Sequence, residues 1–156
     1  MNPLGMAKLF ALIVLVSSGS LKQTAPELIG KWGVGTAYET NQASGLSSNQ
    51  EGYIENLHLE YAKDRLRVCG KEIAIQSIKA EALTEDDFVG RYHFHPESIG
   101  VGPSGIVELN INSADNAACG EYGDPGLHVF VGDNRHAVIE VEGDYFPLVK
   151  KAGARD

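Results

Sequence analysis

The chain has only two cysteines, Cys69 and Cys119. Neither sits in a C-x-x-C pair and neither has a histidine within a few residues, which argues against a redox motif or a thiolate metal centre. Basic residues are scarce, 13 against 21 acidic ones, and the only adjacent basic pair is Lys150-Lys151. A nucleic-acid surface needs a basic stripe to displace counterions, so nucleic acid and anionic membranes are discounted as partners. There is no long hydrophobic run either. Leu9 to Val16 is less than half of the ~20 residues that cross a bilayer, so no membrane anchor is expected. Nucleophile motifs are also missing: Pro103-Ser104-Gly105-Ile106 lacks the G-x-S-x-G elbow, and no calcium loop or phosphate-cradling glycine motif occurs. The expectation is a protein that is not an enzyme and carries no cofactor.

What is present begins with a leader. Lys8 precedes the apolar run, and Ser17, Ser18, Gly19 and Ser20 follow it, the three-part build of a secretory signal peptide. Ser18-x-Ser20 fits the small-x-small cleavage rule, with Ala25 a second choice. Residues 1–20 are therefore read as a signal peptide and 21–156 as a single domain, periplasmic or extracellular. An oxidising compartment favours pairing of Cys69 with Cys119. The formal net charge of −8 is read as ordinary colloidal solubility. With 43% hydrophobic residues and 18 glycines, the domain has the composition of a folded, turn-rich protein.

Apolar and polar residues alternate, the period of half-buried antiparallel strands. Leu57, Leu59 and Tyr61 alternate with His58 and Glu60, Ala62-Lys63-Asp64 turns, and Leu66 and Val68 alternate with Arg65 and Arg67. This reads as a hairpin. Ile73 and Ile75 follow, and the phase slips between Gln76 and Ile78 as a bulge would make it. Strands are further read at Lys31 to Tyr38, Val107 to Ile111, Leu127 to Val131, His136 to Val141 and Tyr145 to Val149. Seven or eight short strands suit a barrel or a sandwich. Two helical segments interrupt them, one capped by Ser47 or Ser48 and one opening at Thr84 with Asp87 three residues on. Pro96 to Gly105 and Asn112 to Gly126 are read as long loops, the second tied by the disulfide to the end of the Arg65 to Cys69 strand.

Gly30-Lys31-Trp32 resembles the G-x-W signature of lipocalins and related calycins. The closing hairpins, from Leu127 to Leu148, resemble those of small lipocalin-like proteins of the bacterial periplasm. The resemblance implies an all-β, antiparallel, lipocalin-like barrel of about eight strands with one or two short helices, in which Trp32 closes one end. The basic residue that stacks over this tryptophan from the last strand of a lipocalin corresponds here to Lys150 or Lys151.

Such a barrel has room for one small apolar ligand, which Trp32, Phe88, Tyr92 and Phe94 are candidates to line or cover. The expected function is an exported small binding protein. The competing class is a protein-interaction module of the cell envelope, an inhibitor or immunity-type protein, and a filled barrel interior would favour it. In an extended Arg91 to His95 segment, His93 and His95 would share a face, with Glu97 or a distant His58, His128 or His136 as a third metal ligand. No metal is expected, and His93 and His95 are at most a weak, incidental pair. The leader is directly testable: N-terminal sequencing of protein from its native host should return a chain starting near Leu21, and recovery of the intact Met1 or Met6 end would contradict export.

Overall fold

The computed structural model describes residues 14–17, 20–114 and 117–151. Apart from residues 14–17 and 20, the expected leader lies outside them. Among the described residues there are nine strands: β1 (Val14–Ser17), β2 (Gly30–Val34), β3 (His58–Tyr61), β4 (Arg65–Val68), β5 (Lys71–Leu83), β6 (Ile106–Ser113), β7 (His128–Val131), β8 (Ala137–Val141) and β9 (Asp144–Lys150). Three α-helical segments among the described residues join them, the single turn α1 (Leu21–Thr24), α2 (Ser48–Glu55) and α3 (Glu85–Tyr92).

All strand pairs are antiparallel, in the order β5-β4-β3-β2-β9-β8-β7-β6, and β6 returns to β5. The result is a closed eight-stranded barrel. Closure depends on β5, whose first four residues pair with β4 while Ile75 to Leu83 pair with β6. The register shifts between Ile75 and Ser77, at the slip legible in the sequence. Such a bulge bends a strand, which lets this one serve two neighbours. β1 pairs with Ile78 to Glu81 of β5, outside the closed ring.

Alternation divides the side chains between two faces. Val107, Leu109 and Ile111 of β6, Val129 and Val131 of β7, Ala137, Ile139 and Val141 of β8, and Phe146 and Leu148 of β9 join one large apolar cluster with residues of β2 to β5. Drawing on every strand of the ring, that cluster fills the barrel. The intervening Ile106, Phe130, Val138 and Tyr145 join a second cluster with Phe88, Phe94 and Ile99, on the outer wall.

Local segments pack at the ends. α1 and the 3-10 turn Pro26–Leu28 lead into β2, where the Trp32 indole N–H donates to the Leu28 carbonyl at 2.8 Å. Lys150, opposite Trp32 in the ladder, places its Nζ 5.5 Å from the ring centroid, so it is Lys150 that takes the stacking position. Of the two serines read as caps for α2, Ser47 takes the position, in a capping box in which Ser47 and Gln50 bond each other's backbone N–H. Its Tyr53 stacks on Tyr122 at 4.4 Å, joining α2 to the loop that carries Cys119.

That loop enters the barrel. Pro125 and Gly126 are buried, and the Tyr61 hydroxyl donates to the Gly126 carbonyl at 2.6 Å. Gly126 has φ 105°, and a Cβ there would lie 2.5 Å from Leu59 Cδ2 and 2.7 Å from the Tyr61 oxygen, so only glycine fits. The Cys69–Cys119 disulfide anchors the loop to the end of β4, with Cα atoms 5.5 Å apart across 50 residues of sequence. Loss of this crosslink in Cys119→Ser should lower the unfolding free energy by about 2–4 kcal/mol, measured by urea titration. An unchanged midpoint would mean that the loop holds its place without the bond.

Candidate functional site

The four ligand-lining candidates separate. Trp32 belongs to the barrel interior, whereas Phe88 and Phe94 belong to the outer cluster and Tyr92 packs against it. They do not line one chamber. Phe88 meets Phe94 and Phe130 edge-on at centroid distances of 5.2 and 5.6 Å, and Phe94 meets Tyr145 at 5.0 Å. These rings hold α3 and the following turn against the barrel wall. Trp32 does reach a surface hollow of about 300 Å³, shared with Lys31, His58 and Lys151.

The histidine pair separates as well. The segment is not extended: the capping box of Thr84 and Asp87 starts a helix that runs to Tyr92, and His93 ends it in the left-handed conformation, φ 65°. His95 then caps the 3-10 turn Pro96–Ile99. Proline sets that turn, and the two imidazoles lose the shared face that a strand would give. His95 instead lies 3.3 Å through Nδ1 from Glu85 Oε1, with Glu97 also close.

Beneath α3 lies a polar network not anticipated from the sequence. Arg91 grips Glu81 with two hydrogen bonds of 2.9 Å and reaches Glu108 at 3.1 Å. Asn110 also donates to Glu108, at 3.2 Å, as does the Tyr92 hydroxyl. His128 lies 3.3 Å from Glu108 through Nε2 and 3.0 Å from Glu140 through Nδ1. Burial by itself would depress the imidazole, but the hydrogen bonds and charges of Glu108 and Glu140 outweigh it and raise His128 to about 9. At neutral pH both ring nitrogens therefore carry protons and donate. Burial pushes Glu108 up, yet the hydrogen bonds from His128, Tyr92 and Asn110 win and hold it at about 2. Arg91 holds Glu81 below the usual carboxylate range. Every buried side-chain nitrogen and oxygen among the described residues has a partner, so the network is a satisfied clamp. One sequence signal did point to it: Phe130 shares the face of His128, and an aromatic on a polar strand face implies a cover.

The open chemistry is at one end of the barrel. A cavity of about 600 Å³ is lined by Pro26 and Glu27 of the first 3-10 turn, Gly105 and Val107 at the start of β6, Val131 and Gly132 at the end of β7, and Asp133 and Arg135 of the β7–β8 turn. Val107 and Val131 project from the interior face, so the floor is continuous with the barrel core. Glu27, Asp133 and Arg135 are exposed at the rim. Gly105 shapes the wall, since a Cβ there would lie 2.5 Å from Asp133 Cβ. Arg135 is held at φ 63°, a strained region for a residue with a side chain. Its guanidinium makes no ion pair among the described residues. The mouth is not legible in the sequence because its walls come from three segments far apart in the chain.

No protein-family model, curated protein or solved structure matches the chain. The closed eight-stranded barrel is compatible with the lipocalin-like fold that Gly30-Lys31-Trp32 implies, and Lys150 lies over Trp32.

The clamp has a pH signature. His128 is raised from 6.5 to about 9, so its contribution is fully present below pH 6.5 and is lost as pH rises through 9. Glu108 is lowered from 4.5 to about 2, so its contribution is present above pH 4.5 and is lost as pH falls through 2. Urea unfolding should thus show a decline from pH 6.5 to 9 of about 2 kcal/mol in the native chain, and His128→Gln should flatten that limb. Equal slopes in the two proteins would show that His128 is not held as a cation.

Proposed function

We propose that this protein is an exported, non-catalytic binding protein whose ligand sits in the barrel mouth. The observation that carries the reading is the 600 Å³ mouth, which lies within the range of about 300–1,000 Å³ typical of small-molecule sites. Val107, Val131 and Pro26 suit an apolar body, and Glu27, Asp133 and Arg135 suit a polar end at the rim. A ligand in the centre of the barrel is less well supported, because Gly126 and the core side chains occupy that space. Export is supported by the leader-like N terminus and by the disulfide. No helix among the described residues is long and apolar enough to cross a membrane.

The filled interior supports a second reading, the protein-interaction module of the cell envelope. Here the barrel is only a rigid frame, and loops such as the disulfide-tied one meet a partner.

Native mass spectrometry of protein purified from its host compartment distinguishes the two. The first reading expects a bound small molecule, and Glu27→Trp, which narrows the rim without touching the core, should weaken an anilinonaphthalene sulfonate probe by about tenfold or more. A stoichiometric protein partner, with no small molecule and no probe binding, would replace the first reading with the second.

A further inference from the structure

His95 loses His93 as a neighbour but gains two carboxylates. Glu85 opens α3 and Glu97 lies in the turn that His95 caps, and one ligand atom from each of Glu85, His95 and Glu97 lies within 4.8 Å of the others. The backbone that presents them is fixed from below. Phe88, Phe94, Pro96 and Ile99 are all buried, and Asp87 is tied into the capping box at Thr84. The side chains face outward: His95 and Glu97 are exposed and Glu85 is half-buried.

We propose that Glu85, His95 and Glu97 form a surface site for a divalent cation of borderline softness, with zinc as the type. Three observations carry this. The donor set of one imidazole nitrogen and two carboxylate oxygens matches zinc with a water as fourth ligand. The 3.3 Å between His95 Nδ1 and Glu85 Oε1 fits the edge of a zinc tetrahedron, since bonds of about 2.0–2.1 Å at a tetrahedral angle separate ligand atoms by about 3.3 Å. Two carboxylates also face each other with no lysine or arginine ion-paired to either among the described residues. A cation would relieve that repulsion, and the neighbouring Asp86 keeps the local field negative against the N terminus of α3. Calcium and magnesium fit poorly, because they favour six or more oxygen ligands. The site is independent of the mouth, so its existence does not rest on the proposed ligand.

The test is calorimetric titration of the metal-free full chain with zinc chloride, and separately with calcium chloride. One equivalent of zinc should bind with a Kd of about micromolar and calcium should give no saturable heat. His95→Ala and Glu97→Gln should each weaken zinc by about tenfold or more. His93→Ala, in a residue outside the trio, should leave it unchanged. His95 caps its turn without a side-chain hydrogen bond, so its replacement spares the backbone; far-UV circular dichroism of each variant checks this. Absence of saturable zinc binding would overturn the site, and so would retention in His95→Ala or loss in His93→Ala.

Discussion

One strand makes the barrel possible. β5 pairs with β4 through Lys71 to Ala74 and with β6 from Ile75 to Leu83, and the register shift between Ile75 and Ser77 lets it turn from one neighbour to the other. Without the shift, a rigid alternation would put Ile73 and Ile75 on one face and Ile78 and Ala80 out of phase with them. With it, all four belong to the interior cluster. Closure in turn fixes which side chains are inside, which are outside, and where the barrel has ends. If the leader is removed, β1 goes with it and the edge of β5 at Ile78 to Glu81 loses its partner on that side.

From closure follows a division of roles. The inside is apolar and is completed by a loop backbone, with Gly126 seated against Leu59, Tyr61 and Leu66. The outer wall carries a helix held by aromatic contacts and by the Arg91, Glu81, Glu108, His128 and Glu140 network. A buried ionic network is not by itself a source of net stability, but it fixes the helix at one position, because any shift would leave a carboxylate unpaired in a poorly solvated place. That fixed position is also what brings Glu85 and Glu97 to His95. At the mouth the interior face meets charged turns.

Local physics was legible in the sequence and long-range packing was not. Ser47 or Ser48 and Thr84 announced their helices because a cap is written within a few residues of the helix start, and Gln76 to Ile78 announced the bulge because the alternation itself slips there. Cys69 and Cys119 could be paired because no other thiol exists. The His93 and His95 pair was misplaced because the Thr84 helix persists to Tyr92 and Pro96 imposes a turn, so a period of two never applied. The first strand proved shorter than Lys31 to Tyr38, ending at Val34. Phe88, Tyr92 and Phe94 read as cavity-lining because apolar residues show that they are covered without showing by what. The entry of Pro125 and Gly126 into the barrel, and the placing of Glu27 and Arg135 around one hollow, depend on packing between segments far apart in the chain.

The central claim is that the core of the barrel is occupied and that binding takes place at its mouth. Amide chemical-shift mapping of isotope-labelled protein titrated with anilinonaphthalene sulfonate tests it most directly. The account predicts that the largest shifts fall on Val107, Val131, Gly132 and Arg135, with Leu59, Tyr61 and Gly126 little changed. Shifts centred on Leu59, Tyr61 and Gly126 would mean that the loop yields and the ligand enters the barrel, which would contradict it.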